Sequence, residues 1–235
     1  MRYTGSKNRI ANDILNIVLK DRIDECYVEP FVGGCNVIDK VAGNRIGNDI
    51  NEYLIEFYKA VQNGWLPPKR ITKEEYLHIK QNKDLDKKLT LWAGICCSYG
   101  GKWFGGLLND YQESRRLKSG RLPNHQDEAY NGLVKQVDNI KDINFYNLNY
   151  WELDIPDNSI IYCDPPYFNT IKYKDDFDTD KFWDWVRIMS DKHKVYVSEY
   201  TAPDDFECIW SKKVHSTLSK QSKFNVIEKL YIIKK

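Results

Sequence analysis

The chain of 235 residues carries 35 Lys and Arg against 34 Asp and Glu, a formal net charge of +1, with 42% hydrophobic side chains. That length suits one large domain, or a core with a modest insertion, and it buries an ample core without covalent staples. No apolar run approaches membrane-spanning length, and the six cysteines (26, 35, 96, 97, 163 and 208) form neither a C-x-x-C pair nor a zinc-like Cys/His pattern.

With no signal peptide, these features point to reduced thiols in a cytoplasmic protein, with no membrane and no metal. Charge is uneven along the chain. Residues 65–125 hold 12 Lys and Arg against 6 Asp and Glu, and residues 211–235 hold 7 Lys against Glu228 alone. Residues 164–210 hold 11 acids against 6 bases. Two basic stretches on a neutral chain fit either solvated lysine-rich faces or one side turned toward a polyanion.

In chain order, residues 8–20 place apolar side chains at 10, 11, 14, 15 and 18, which is helical spacing. "CYVEPFVGG" (26–34) predicts a short strand that ends at Pro30 and a glycine turn. A short helix over 36–43 follows, stopped by Gly43. "NRIGNDI" (44–50) reads as a second strand and 51–64 as a helix closed by Gly64, which together make a β-α-β unit of Rossmann type. Residues 71–135 show lysine-rich helical stretches and a glycine-aromatic patch without strand alternation. Strand character returns at 143–149, 159–167 and 194–200, with a helix between the last two that has Thr179 as candidate N-cap. The chain closes on a hairpin across "SKQSKF" (219–224). A sheet-rich body is expected over 1–64 and 136–235, with a basic, mostly helical insert over 65–135.

The chemistry concentrates where strands end. Ile160, Ile161 and Tyr162 are strand formers, and Pro165 and Pro166 stop the strand because they cannot donate to a ladder. Asp164 therefore falls at a strand's carboxyl end, where open α/β sheets place ligands. A lone Asp-Pro is an ordinary turn, but Asp164-Pro165-Pro166-Tyr167 after an apolar strand is rarer. Gly33 and Gly34 sit between strand and helix, where glycines admit a ligand to the backbone. Asp49 ends the next strand, where an acid can hold both ribose hydroxyls of an adenosine. The spacing of a dinucleotide fingerprint is absent, which favours another adenosine compound. Lys7, in Tyr3-Thr4-Gly5-Ser6-Lys7, lacks Walker spacing, and taken alone reads as an exposed lysine.

The stretches "RYTGSKNRI", "YVEPFVGGCNVI", "NDINEYLIEFYKAV" and "IIYCDPPYF" occur in the order found in Dam-type DNA adenine-N6 methyltransferases of the D12 class. The chain resembles that family over about 1–62 and 140–235, in a form similar to short phage and prophage members. The resemblance implies a Rossmann-like α/β methyltransferase core, a mostly parallel seven-stranded sheet with a C-terminal antiparallel hairpin. It also implies S-adenosylmethionine as cofactor, double-stranded DNA as partner, and a monomer in a bacterial or phage-infected cell. By the same resemblance Tyr3 and Lys7 close the cofactor site, Pro30, Phe31 and Gly33 line it, Asp49 holds the ribose, and Asp164 lies between the methionyl end and the base. Two positions depart from the pattern. Cys35 stands where a third glycine is common, and Asn149 stands where an acid or hydroxyl contacts the cofactor's adenine.

Adenine's exocyclic nitrogen is a poor nucleophile because its lone pair is delocalised into the ring. Acceptors aimed at its hydrogens, from the Asp164 side chain and the Pro165 carbonyl, localise that lone pair. Pro166 stiffens the turn and Tyr167 stacks on a base that has left the duplex. Lys102, Trp103, Arg115, Arg116 and Arg121 in the insert are the candidate DNA contacts. A packed turn is the plain reading of Trp103. The competing functions are methylation of an RNA base or protein amide, and a DNA-binding module with a vestigial site.

Overall fold

The structure, a computed structural model, describes residues 1, 3–108, 124–166, 177–215 and 225–234. Among the described residues seven strands form one sheet: β1 (Tyr27–Glu29), β2 (Arg45–Asn48), β3 (Ile143–Tyr146), β4 (Ile160–Cys163), β5 (Lys194–Ser198), β6 (Phe206–His215) and β7 (Asn225–Ile233). Their order is β3-β2-β1-β4-β5-β7-β6. The first five are parallel, and β7 runs antiparallel between β5 and β6. This is the mostly parallel sheet with a closing hairpin that the sequence predicts.

β1, β2 and β4 are buried at every position, as expected of central strands covered on both faces. Alternate residues go to opposite cores. Tyr27, Ile160 and Tyr162 pack with α1 (Ala11–Val18), α2 (Glu52–Gln62) and α5 (His125–Ile140). Val28, Ile161 and Cys163 pack with α6 (Thr179–Ser190), Tyr150 and Leu153. The period of two along each strand thus builds two layers of helix around one sheet. On α1, the predicted stripe of Ile10, Ala11, Ile14, Leu15 and Val18 is buried throughout.

Two local expectations change. The helix expected over 36–43 is a single 3₁₀ turn, Ile38–Lys40, and Val41 is already extended. Val37, Ile38 and Val41 are β-branched and buried, so one turn seats them and helix propensity adds little. The helix α6 is capped by Asp178 rather than Thr179, its carboxylate accepting the Lys181 N–H at 3.0 Å. The described part of 65–135, the expected insert, packs against the body. It contains α3 (Lys73–Gln81), α4 (Lys87–Leu91) and a π turn, Trp92–Cys96. Tyr76, Leu91, Trp92 and Phe104 join the same hydrophobic cluster as α1 and α2, and α5 runs through residue 135 without interruption.

Candidate active site

The carboxyl ends of β1, β2 and β4 meet where the strand order reverses, between β1 and β4. Open α/β sheets bind ligands at such a point, because loops from neighbouring strands diverge there and leave a crevice. One buried amide ties the strand ends together. Asn48 Nδ2 donates to the Pro30 carbonyl (3.1 Å) and the Leu148 carbonyl (3.0 Å), and its Oδ1 accepts from the Leu148 N–H. Sequence reasoning missed Asn48; an amide side chain at the end of a central strand, directly before Asp49, was the available signal.

The glycine turn after β1 is shaped by its neighbours. The Gly33 N–H donates to Asp49 Oδ2 at 3.0 Å, and its carbonyl accepts from the Tyr58 hydroxyl at 2.8 Å. Its φ is +44°, and Cys35 follows at +58°. Cys35 thus occupies the left-handed region that a glycine would adopt without strain, and its side chain is fully buried. Tyr3 lies across the turn. A Cβ at Gly34 would meet Tyr3 Cβ at 2.6 Å and would overlap Asn36 Nδ2. Gly34→Ala is therefore expected to push the N-terminal segment off the turn and to destabilise the fold by about 1–3 kcal/mol, the usual cost of overpacking. Equilibrium denaturation of the variant against wild type measures this.

Glu29, the acid of the same stretch, faces the core rather than the crevice. It accepts from the Tyr27 hydroxyl at 2.9 Å. Burial pushes its carboxyl well above the ordinary range, against the opposing pull of that hydrogen bond. Asp49 is only half-buried. Its Oδ2 takes the Gly33 N–H and its Oδ1 the Asn51 N–H, both at 3.0 Å. Desolvation raises its carboxyl, and the two backbone bonds lower it. Each oxygen keeps a second lone-pair direction, so the carboxylate suits a vicinal diol.

Phe31 leaves the glycine turn for an aromatic group on the other face. Its ring centroid is 5.2 Å from Tyr150, 5.7 Å from Phe182 and 5.9 Å from Phe177. Pro30 is buried at the root of that turn. Asn149 is held locally, its Nδ2 donating to Glu152 at 2.8 Å.

Asp164 follows β4 with one quarter of its side chain exposed, and Pro165 is buried behind it. Lys7 reaches it from the other end of the chain, 157 residues away, with Nζ 2.8 Å from Asp164 Oδ1. The lysine is 6% exposed, and Glu228 Oε2 of β7 stands 3.8 Å from the same ammonium. The plain reading of Lys7 as exposed is thereby corrected. Its alkyl stem is covered by the fold and its charge is delivered to the strand end. Glu228 was missed as a site residue, although it is the single acid in a stretch with seven lysines. Cys163 is buried at the end of β4.

The insert meets the site through the N-terminal segment, where the Thr4 hydroxyl donates to the Gly101 carbonyl at 2.8 Å. Lys102 is exposed. Trp103 is half-buried, its ring 5.3 Å from Tyr53 and in contact range of any Cβ placed at Gly94, so it packs as part of a turn. Tyr167, Arg115, Arg116 and Arg121 lie outside the described residues. Among the described residues no group of His, Cys, Asp and Glu could hold a metal ion, and no helix is long and apolar enough to cross a membrane.

A parallel core in the order 3-2-1-4-5 with an antiparallel β7 inserted before β6, an acid after β2 and Asp-Pro-Pro after β4 define an α/β domain of methyltransferase type. The chain belongs to the D12 class of N6 adenine-specific DNA methyltransferases, whose family model matches residues 3–231. It is 27% identical over 217 residues to the Type II methyltransferase M.FokI of Planomicrobium okeanokoites, covering 82% of this chain and 32% of that protein. The chain thus spans about a third of the length of this relative. The putative methyltransferase yhhF of Escherichia coli superposes with a TM-score of 0.39 at 10% identity, over 97% of this chain and 86% of that one.

Proposed function

We propose that the protein is a site-specific DNA adenine-N6 methyltransferase using S-adenosylmethionine, acting on a flipped adenine in duplex DNA. The observation that carries this reading is Asp164, fixed at the end of central strand β4 by Lys7 and followed by two prolines. The donor set of the neighbouring turn fits the cofactor: Asp49 offers paired carboxylate lone pairs for a ribose diol, Gly33 lies beside it with Tyr3 across the turn, and Pro30 is buried at its root, while Phe31 lies in the aromatic group of the other face. When bound, S-adenosylmethionine supplies an electrophilic methyl group on a positively charged sulfur.

The chain's own residues do the rest. Asp164 accepts one hydrogen of the adenine amino group and the Pro165 carbonyl accepts the other, which turns a planar, delocalised nitrogen toward a tetrahedral nucleophile. Pro165 and Pro166 fix the backbone that carries this carbonyl. Tyr167 stacks on the base and holds it in line for transfer. The segment 65–135 carries DNA recognition, with Lys102 on phosphate and Arg115, Arg116 and Arg121 on base edges or phosphates. By likeness to a Type II enzyme, the setting is restriction-modification in a bacterial cell or phage-infected host, with the protein working as a monomer.

Arg115→Ala and Arg116→Ala are expected to weaken DNA binding with cofactor affinity preserved. An arginine that reads a base should relax discrimination at one position by about 1–3 kcal/mol, whereas one on phosphate should lower affinity for every sequence alike. Comparing cognate and single-mismatch duplexes separates these outcomes. The activity itself is tested by incubating the protein with labelled S-adenosylmethionine and duplex DNA, RNA or protein. Label appearing in DNA as N6-methyladenine supports the proposal. Label confined to RNA or protein overturns it.

A further inference from the structure

We propose that Glu228 is a positioning residue for methyl transfer, acting on Asp164 through Lys7; the inference rests on the adenine methyltransferase reading above. Lys7 sits in a nearly closed environment, its ammonium 2.8 Å from Asp164, 3.8 Å from Glu228 and 3.5 Å from the Gly5 carbonyl. Its contact with Asp164 orients the acceptor carboxylate but also works against it. An ammonium bonded to Oδ1 draws electron density from the group that must polarise the adenine amine. Its charge further opposes the positive charge that the nitrogen acquires as the N–CH₃ bond forms. A second anion beside the same ammonium offsets both effects.

Glu228 is built into the fold to supply that anion. It lies on β7 with the parity of Leu230, whose side chain is buried in the layer that contains α1. Its cross-strand neighbour is Lys212, whose ammonium goes to Asp13 of α1 at 2.7 Å. The Glu228 carboxylate, 14% exposed, is close enough to hold Lys7 by charge and outside hydrogen-bond range of it. The ammonium is thereby shared between two carboxylates, and Asp164 is oriented without facing an unbalanced cation. The whole arrangement is drawn from three distant parts of the chain: the N-terminal segment, the end of β4 and the closing hairpin.

The test compares single-turnover methyl transfer by full-length wild type, Glu228→Gln, Lys7→Met and the double variant, with S-adenosylmethionine and DNA affinities measured separately. Glu228→Gln is expected to lower the transfer rate about tenfold or more, the scale of losing one electrostatic partner at a transition state, with both affinities within about twofold of wild type. Because Glu228 acts through Lys7, the double variant should be no slower than Lys7→Met alone. Glu228→Asp, which keeps the charge, should recover part of the rate lost in Glu228→Gln; it also serves if the glutamine variant does not fold. A wild-type rate in Glu228→Gln overturns the proposal, and so does a double variant whose loss is the product of the single losses. Absence of transfer by wild type refutes the enzymatic reading and the inference with it, whereas robust wild-type transfer with an indifferent Glu228 refutes this inference alone.

Discussion

Asp164→Ala is expected to lower methyl transfer by at least ~10²-fold, the usual consequence of deleting one preorganised group that acts in the transition state. The fold should survive the change. Asp164 is partly exposed at a strand end, and the buried Lys7 ammonium retains Glu228 within 3.8 Å when its closer partner is removed. Cofactor and DNA binding should persist, because the acceptor role is exercised on the reacting nitrogen. Asp164→Asn sharpens the test: the amide keeps one acceptor oxygen but loses the charge that balances Lys7, so its rate should lie between wild type and alanine. Near-normal turnover by a folded Asp164→Ala protein would remove the DPPY turn from the mechanism.

Asp49→Ala is the second large effect expected. With Asp49 in its proposed role on the ribose hydroxyls, its loss should weaken S-adenosylmethionine binding by about 1.5–3 kcal/mol, the range for hydrogen bonds to charged groups. The same carboxylate also holds the Gly33 and Asn51 N–H groups, so part of the loss arises from a loosened glycine turn. Asp49→Asn separates the two contributions. Its remaining oxygen can accept one of those N–H bonds, while its amide can no longer accept from both ribose hydroxyls. Calorimetric titration with cofactor, followed by DNA binding measured without it, gives the answer. Unchanged cofactor affinity in both variants would place the ribose elsewhere, and a parallel loss of DNA binding would show a structural defect.

The elements that reasoning from sequence recovers are those whose signal is local. α1 is legible because five apolar residues recur at helical spacing, and all of them are buried. β4 is legible because Ile160, Ile161 and Tyr162 are strand formers bounded by two prolines, and its place at the centre of the sheet follows from the lack of any polar face. The closing hairpin follows from two apolar stretches around a polar turn. Where local preference and packing disagree, packing decides. Residues 36–43 suggest a helix by their glycine stop, yet their β-branched residues need only one turn, which buries Val37 and Ile38. Trp92–Cys96 forms a π turn whose Gly94 lets the Trp103 and Phe104 rings approach, and no periodicity announces it.

The site shows the same division. Gly33, Asp49 and Asp164 are legible because each follows a strand whose end can be read, and the family resemblance supplies their roles. Cys35 is explained by its backbone: the fold requires a left-handed residue there, and cysteine accepts the strain while filling a buried position. The Lys7–Asp164 contact spans 157 residues, so no window of sequence holds both partners. Glu228 arrives only through the register of β7 against β6, a property of strand pairing rather than of any residue nearby. Asn48 is similar, since its value lies in three backbone groups, of Pro30 after β1 and Leu148 after β3, that its sequence neighbours do not contain.

The most direct test of the central claim is to express the wild-type chain and Asp164→Ala in a host that lacks DNA methylation, and to map N6-methyladenine across the recovered DNA. The account predicts modified adenine in one recurring sequence context with the wild-type chain and none with the variant. Unmodified DNA from a folded, expressed wild-type protein, or equal modification by both proteins, would contradict it.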